Sequence, residues 1–183
     1  VSALKLSYFY KRYFINFAQV HVLMVVAKLC TGSLRPHFFA TCQPDKLLNC
    51  TENSLVYDYK CTKEHVFWTR DAFMSFFSGH ALLISYSCFF LILYLQHRFK
   101  SRHTFCLPFT QAVLISVAFF VSISRVFDNR HHVIDITVGG IIGVLAAFHI
   151  WYTQCNKFKD DEDKIDEIID TNEQMLPARN LSR

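Results

Sequence analysis

Several patterns that would place the chain in a familiar class of proteins are missing from its sequence. The seven cysteines include no Cys-x-x-Cys pair, which argues against a structural zinc site. No charged start, short apolar run and small-residue cleavage site precede the first apolar block, so a secretory signal is not indicated. The apolar blocks show no internal repeat. Because the first residue is Val1 rather than Met, we expect a fragment without its true amino terminus.

Apolar residues, by contrast, are abundant and gathered into blocks. Hydrophobic residues make up 52% of the 183 positions, and phenylalanine alone occurs 19 times. At about 1.5 Å per residue, a helical block of roughly 20 residues crosses a hydrocarbon core of about 30 Å. The sequence therefore predicts an all-α fold, a polytopic transmembrane helix bundle with four spans at roughly 10–30, 73–95, 105–123 and 133–152.

Basic residues indicate the orientation of these spans. The short connection 96–103 is rich in histidine, lysine and arginine, and positive loops of this length lie on the cytoplasmic side. The net charge of +4 is accordingly a topology signal, and nucleic-acid binding is not expected. We expect a transmembrane domain over 1–155, an outer loop over 36–72 within it, and a charged cytoplasmic tail over 156–183.

The expected outer loop contains three cysteines and one glycosylation pattern. Cys42, Cys50 and Cys61 can form at most one disulfide among themselves, which an oxidising compartment would favour, and the sequence leaves the pairing open. Asn49, followed by Cys50 and Thr51, fits the N-glycosylation acceptor pattern. Asn49 is therefore a candidate glycosylation site.

A charged stretch, Ser124 to Asp135, lies between the third and fourth apolar blocks. Ionisable groups beside a membrane are costly unless they pair or bind something, which makes them functional candidates. His131 and Asp135 are four residues apart and share one face if the segment from Val133 onward is helical. The carboxylate would then hold the imidazole in one tautomer, while Arg125 supplies a forked cation suited to phosphate.

The predicted topology brings two further segments to the same membrane face as this stretch. Lys28 and Arg35 follow the first span, and a Ser-Gly-His triplet lies in the second apolar block. Three cations on one face repel one another unless an anion lies between them, and a phosphoryl group fits that requirement. One histidine would attack phosphorus and the other would protonate the leaving oxygen. Ser78 and the Gly79 amide would donate to the developing charge, and no metal would be needed.

Three motifs in order and with the expected spacing resemble those of the type 2 phosphatidic acid phosphatase family. They are Lys28 to Arg35-Pro36, then Phe77-Ser78-Gly79-His80, then Ser124-Arg125 through His131 to Asp135. Phe77 stands where the general pattern has proline, and an aromatic residue there is typical of the lipid phosphate phosphatase branch. The cysteine-rich loop with its sequon is similar to that branch as well.

The resemblance implies a role for each motif residue. His131 would become phosphorylated, Asp135 would orient it, and His80 would be the acid for the leaving group. The phosphate would be held by Lys28, Arg35, Ser78, Gly79 and Arg125. No cofactor is implied, and activity independent of magnesium is expected.

The resemblance also implies a substrate class and a location. Phosphatidate, lysophosphatidate, sphingosine 1-phosphate or ceramide 1-phosphate would be dephosphorylated at the outer or luminal leaflet, with the plasma membrane as the expected location. Members of the branch have six spans, so two would precede Val1. The preferred lipid and the oligomeric state, a homo-oligomer included, stay open.

Other interpretations of the same residues stay open at this point. A catalytically silent relative would bind lipids or organise partners, and a related phosphatase would act on a soluble phosphate ester. Lys28 and Arg35, taken alone, fit basic residues that reach from a helix end to the membrane surface. His131, His132 and Asp135 together suggest a metal site, although Arg125 and Arg130 nearby disfavour a divalent cation.

Overall fold

The computed structural model describes residues 2–45, 59–63, 66–99 and 105–179, and within these ranges the protein is helical. Six helices follow one another within these described residues. They are α1 (Ser2–Thr31), α2 (Phe38–Cys42), α3 (Val66–Asp71), α4 (Gly79–Arg98), α5 (Cys106–Phe127) and α6 (Val133–Arg179). The predicted all-α class is confirmed.

Four of the helices are long and apolar enough to cross a membrane, as predicted. The membrane-crossing segments are Tyr10–Thr31, Gly79–His97, Cys106–Phe127 and Val133–Thr153. The chain is therefore an integral membrane protein. Beyond the last segment, α6 continues as far as Arg179 and includes most of the charged tail; the cytoplasmic location of that tail stays a prediction.

The second span differs from the sequence prediction, which started it at residue 73. The helix α4 begins only at Gly79, capped by Ser78, whose side chain accepts a hydrogen bond from the Ala81 N–H. The mostly apolar residues 73–77, which precede the helix, form an irregular segment instead. Within it, Ser75 N–H donates to the Ser33 carbonyl at 2.9 Å, and just after it Ser78 N–H donates to the Asp135 carbonyl at 3.0 Å. These bonds replace the helical ones that the hydropathy of the segment suggested.

Helix α4 lies at the centre of the bundle and packs against α6, α5 and α1. Glycines bring α6 close to α4: a Cβ added at Gly139 would lie 2.6 Å from the Ser78 carbonyl oxygen, and one at Gly143 would collide with the Leu82 carbonyl oxygen. Small residues allow such close approach between helices in a membrane. The approach fixes the first turn of α6 beside the start of α4.

A disulfide lies within the loop that the sequence predicts to be on the outer side, and it resolves the open choice among the cysteines of that loop. Cys42 is bonded to Cys61, while Asn49 and Cys50 lie outside the described residues. The bonded pair packs with Phe38 and Ala72 in a small apolar cluster, and the Arg35 N–H donates to the Ala72 carbonyl at 2.9 Å. The cluster therefore holds the end of α3 against the segment that follows α1.

Candidate active site

The three motif segments converge on one cavity of about 650 Å³. Its polar wall contains six of the eight predicted site residues, and its apolar wall comes from α1, α4 and α5. The six are Lys28, Arg35, Gly79, His80, Arg125 and His131, and the apolar residues include Met24, Leu83, Ile84 and Val121. The other two, Ser78 and Asp135, are buried directly behind the wall.

His131 lies in the turn between α5 and α6. Its backbone N–H donates to the Arg125 carbonyl at 3.2 Å, which fixes the turn. Its side chain is only 2% exposed and faces the cavity, whereas the side chain of the neighbouring His132 is 50% exposed. The structure thus places His131 at the site, the residue that the motif spacing favoured.

Asp135 is held mainly by groups other than His131. Its Oδ2 accepts hydrogen bonds from Ser75 Oγ at 2.6 Å and from the His132 N–H at 2.9 Å. The same oxygen lies 3.8 Å from His131 Nδ1, which is beyond hydrogen-bond distance. Helix α6 begins at Val133, as the expectation required, and the turn just before it places His131 on the same side as Asp135.

Burial and two cations set the protonation state of His131. Loss of water contact, followed by the positive charges of Lys28 and Arg35, lowers the pKa of His131 to about 4, and Asp135 opposes this only in part. The imidazole is therefore neutral near pH 7 in the absence of a bound anion. A neutral ring has the lone pair that a nucleophile requires.

Lys28 and Arg35 reach the cavity from the end of α1 and the segment after it. The ammonium of Lys28 donates to the Met74 carbonyl at 3.1 Å, and Nη2 of Arg35 donates to Asp71 Oδ1 at 2.8 Å. Asp71 lies in turn 3.6 Å from Arg130 Nη1. Both Asp71 and Arg130 line the cavity, although the sequence singled out neither as a ligand.

The last predicted clamp, Arg125, reaches the same cavity from the end of α5. Its Nε and Nη2 donate to the Ser124 hydroxyl at 3.2 and 3.1 Å, and its Nη2 also lies 3.0 Å from Asp128 Oδ2. The side chain of Asp128 is 52% exposed, so this ion pair is solvent-accessible. A phosphate would compete with it easily, since exposed ion pairs contribute little.

The Ser-Gly-His motif forms the amino-terminal end of α4. Ser78 is fully buried, and its N–H is used by the Asp135 carbonyl, so Ser78 supports the site and does not reach into it in this state. Gly79 and His80 line the cavity in the first helical turn. N–H groups of a first turn lack partners within their helix and favour anions.

Four cations line the cavity: Lys28, Arg35, Arg125 and Arg130. Within the described ranges, no three histidine, cysteine, aspartate or glutamate side chains are grouped so as to hold a metal ion. Arginines and a lysine around a neutral histidine are suited to a phosphoryl dianion.

The fold and cavity together define a polytopic helical membrane domain with a cavity that is lined by two histidines and by four cations of the motif segments and their neighbours, namely His80 and His131 with Lys28, Arg35, Arg125 and Arg130. Residues 9–159 match the model of the PAP2 superfamily, and the chain belongs to this family. The predicted membership of the type 2 phosphatidic acid phosphatase family is thereby confirmed.

Relatives of this chain include two mammalian proteins. It is 40% identical to phospholipid phosphatase 1 of Mus musculus over 139 residues, which cover 74% of this chain and 48% of the relative. It is 37% identical to phospholipid phosphatase 2 of Bos taurus over 124 residues, covering 67% and 42%. The chain thus spans about half the length of these relatives. No solved structure matches it.

Proposed function

We propose that the protein is a lipid phosphate phosphomonoesterase of the membrane. Its substrates would be phosphatidate, lysophosphatidate, sphingosine 1-phosphate or ceramide 1-phosphate. The observation that carries the proposal is a buried, neutral His131 on a cavity whose polar wall has four cations and whose other wall is apolar. A lipid phosphate would match this cavity, because its dianionic head group suits the cationic wall and its apolar chains suit the apolar wall. The names of the two mammalian relatives support this substrate class.

The proposed reaction has two steps. His131 Nε2 attacks phosphorus, because Nδ1 is the nitrogen beside Ser75 and Asp135. The N–P bond forms as the P–O bond to the lipid alcohol breaks, and protonated His80 gives its proton to the departing oxygen. Neutral His80 then takes a proton from water, whose oxygen attacks the phosphohistidine and releases inorganic phosphate and His131. Two histidines thus suffice for nucleophile, acid and base.

Electrostatic stabilisation would come from the chain's own cations. Lys28, Arg35 and Arg125 would surround the non-bridging oxygens, and the Gly79 N–H would add a donor at the amino-terminal end of α4. Phosphoryl transfer depends mostly on such positioning and charge compensation. The proposed activity therefore requires no divalent metal.

The site is proposed to face the outside of the cell or an organelle lumen, in the plasma membrane above all. The Cys42–Cys61 disulfide supports this orientation, because disulfides persist in oxidising compartments. The positive connection 96–103 supports a cytoplasmic location for the opposite ends of the helices.

The test uses membranes from cells that express the full-length protein. Phosphate release is measured with the four lipid phosphates and with a soluble sugar phosphate, in the presence of EDTA. We expect release from lipids, a loss of at least about 1000-fold in His131→Ala, and near-normal release in the control His149→Ala, an exposed residue of α6 that does not line the cavity. An alkaline quench with ³²P-labelled substrate should trap phosphohistidine in the wild type. Release that persists in His131→Ala would disprove the mechanism, and release that stops with EDTA would disprove only its metal independence.

A further inference from the structure

Ser75 is a fully buried serine at the back of the cavity that none of the three motifs contains. Its hydroxyl oxygen lies 2.6 Å from Asp135 Oδ2 and 3.5 Å from His131 Nδ1. The direct distance between Asp135 Oδ2 and His131 Nδ1 is longer, at 3.8 Å. Ser75 Oγ is therefore well within hydrogen-bond distance of Asp135 and at the outer limit of that distance from His131, whereas Asp135 and His131 are too far apart to bond each other.

We infer that Ser75 is a positioning residue that links Asp135 to His131 and fixes the tautomer of the nucleophile. The inference rests on the proposed function, in which His131 attacks phosphorus. It adds a third member to the pair that the family motif supplies.

The proton inventory of the three groups gives the direction of each hydrogen bond. An ionised Asp135 only accepts, and a serine hydroxyl has a single proton. At 2.6 Å that proton points to Asp135, so only the lone pairs of Ser75 Oγ face the imidazole. We therefore assign the ring proton to His131 Nδ1, which lies 3.5 Å from Ser75 Oγ. The lone pair of the neutral ring is consequently on Nε2, the nitrogen that attacks.

The position of Ser75 is fixed from both sides of the bundle. Its N–H donates to the Ser33 carbonyl at 2.9 Å, and the carbonyl of the preceding Met74 accepts from Lys28 at 3.1 Å. The segment between α3 and α4 is thus tied to the end of α1, while Asp135 belongs to α6. Ser75 joins these elements behind the nucleophile, so that the ring is oriented by all of them.

The charged groups that act on the His131 ring come from several elements. Lys28 on α1 and Arg35 after it lower its pKa, while Asp135 on α6 and the Ser75 backbone raise it. Replacing Ser75 by alanine removes the hydroxyl and leaves the backbone carbonyl in place. The ring would keep part of its orientation, and a partial loss of rate is expected, smaller than for removal of His131.

The experiment compares Ser75→Ala, Ser75→Thr and the control Ser85→Ala in membranes containing the full-length protein, with phosphatidate as substrate. Ser85 is a buried serine of α4 that does not line the cavity. We expect Ser75→Ala to lower kcat about 10- to 100-fold with KM changed less than about threefold. Ser75→Thr, which keeps the hydroxyl, should recover most of kcat, and Ser85→Ala should match the wild type.

A pH profile separates positioning from a structural role. Loss of the acceptor for Nδ1–H makes the protonated form of the His131 ring less stable. The acidic limb of the kcat/KM profile in Ser75→Ala should therefore move to lower pH than in the wild type. An unchanged kcat in Ser75→Ala would overturn the inference while the wild type still releases phosphate. Equal losses in Ser75→Ala and Ser75→Thr, with lowered melting temperatures and an unmoved acidic limb, would assign a structural role and overturn it as well. No release by the wild type would overturn the proposed function and this inference with it.

Discussion

Asp71 and Arg35, 36 residues apart in the chain, form an ion pair of 2.8 Å inside the cavity. The Asp71 carboxylate accepts a hydrogen bond from Nη2 of Arg35, a guanidinium that is proposed to hold the substrate phosphate. Asp71 is also close to Arg130, so one internal anion compensates two cations. A bound dianion would compete with this carboxylate for both of them.

The first prediction concerns this competition. Asp71→Asn keeps the shape of the side chain but removes its charge, so the cavity becomes more favourable for an anion. We expect the inhibition constant of inorganic phosphate to fall roughly two- to tenfold, which corresponds to about 1 kcal/mol of screened interaction. Glu167→Gln, an exposed change of the same kind on α6, is the control. A higher inhibition constant in Asp71→Asn would instead show that Asp71 orients Arg35 for binding.

The second prediction concerns His80 as the acid for the leaving group. A lipid alkoxide departs slowly without a proton, whereas p-nitrophenolate is a stable anion that departs without one. His80→Ala should therefore slow phosphatidate hydrolysis about 100- to 10,000-fold and slow p-nitrophenyl phosphate hydrolysis far less. The ratio of the two rates, measured in wild type and variant, is the readout. Equal losses on both substrates would contradict the assignment.

The third prediction concerns pH. The pKa of His131 is lowered from its usual value of 6.5 to about 4 in the folded protein, with burial as the main cause. Between about pH 6.5 and pH 4, His131 is therefore protonated in the unfolded chain but still neutral in the folded protein. Stability should fall over that interval by at most about 3 kcal/mol from this residue.

The readout for the third prediction is the melting temperature in detergent between pH 7 and pH 4. The asparagine side chain in His131→Asn cannot bind this proton, so the melting temperature should fall less in that variant than in the wild type. Identical pH dependence in the wild type and His131→Asn would contradict the lowered pKa.

The fourth prediction concerns the contact between α4 and α6. A Cβ at Gly139 would lie 2.6 Å from the Ser78 carbonyl oxygen, whereas one at Gly140 would meet only the Ser85 hydroxyl at 3.6 Å. Gly139→Ala should push the first turn of α6 away from Ser78, lowering stability by roughly 1–3 kcal/mol and reducing kcat through the displaced Asp135. Gly140→Ala is the matched control and should change neither. Melting temperatures and phosphate release measure the two effects, and equal behaviour of both variants would contradict the close contact.

Much of this architecture could be predicted from the sequence, because its signals are local or have fixed spacing. Apolar blocks of about 20 residues indicated four spans, and the spacing of Arg125 and Asp135 favoured His131 over His132. The start of α4 was placed too early because hydropathy does not distinguish a span from an apolar segment packed against a loop. The residues 73–77 form such a segment.

The residues that the sequence did not reveal depend on contacts between distant segments. Ser75 and Asp135 are 60 positions apart, and Asp71 and Arg35 are 36 apart, so no periodicity connects them. The pairing of Cys42 with Cys61 was one of three choices that spacing could not separate. Such partners are set by how the helices pack, which only the folded chain shows.

The disulfide has a consequence for how the loop between Arg35 and Asp71 can change in length. Cys42 and Cys61 are 19 positions apart, and their bond makes the chain between them a closed ring. Arg35 precedes that ring and Asp71 follows it, so the path that connects these two site residues runs through the sulfur bridge. Extra residues or an epitope introduced inside the ring would enlarge it without lengthening that path. The chain inside the ring can therefore change in length while the covalent path between Arg35 and Asp71 stays the same.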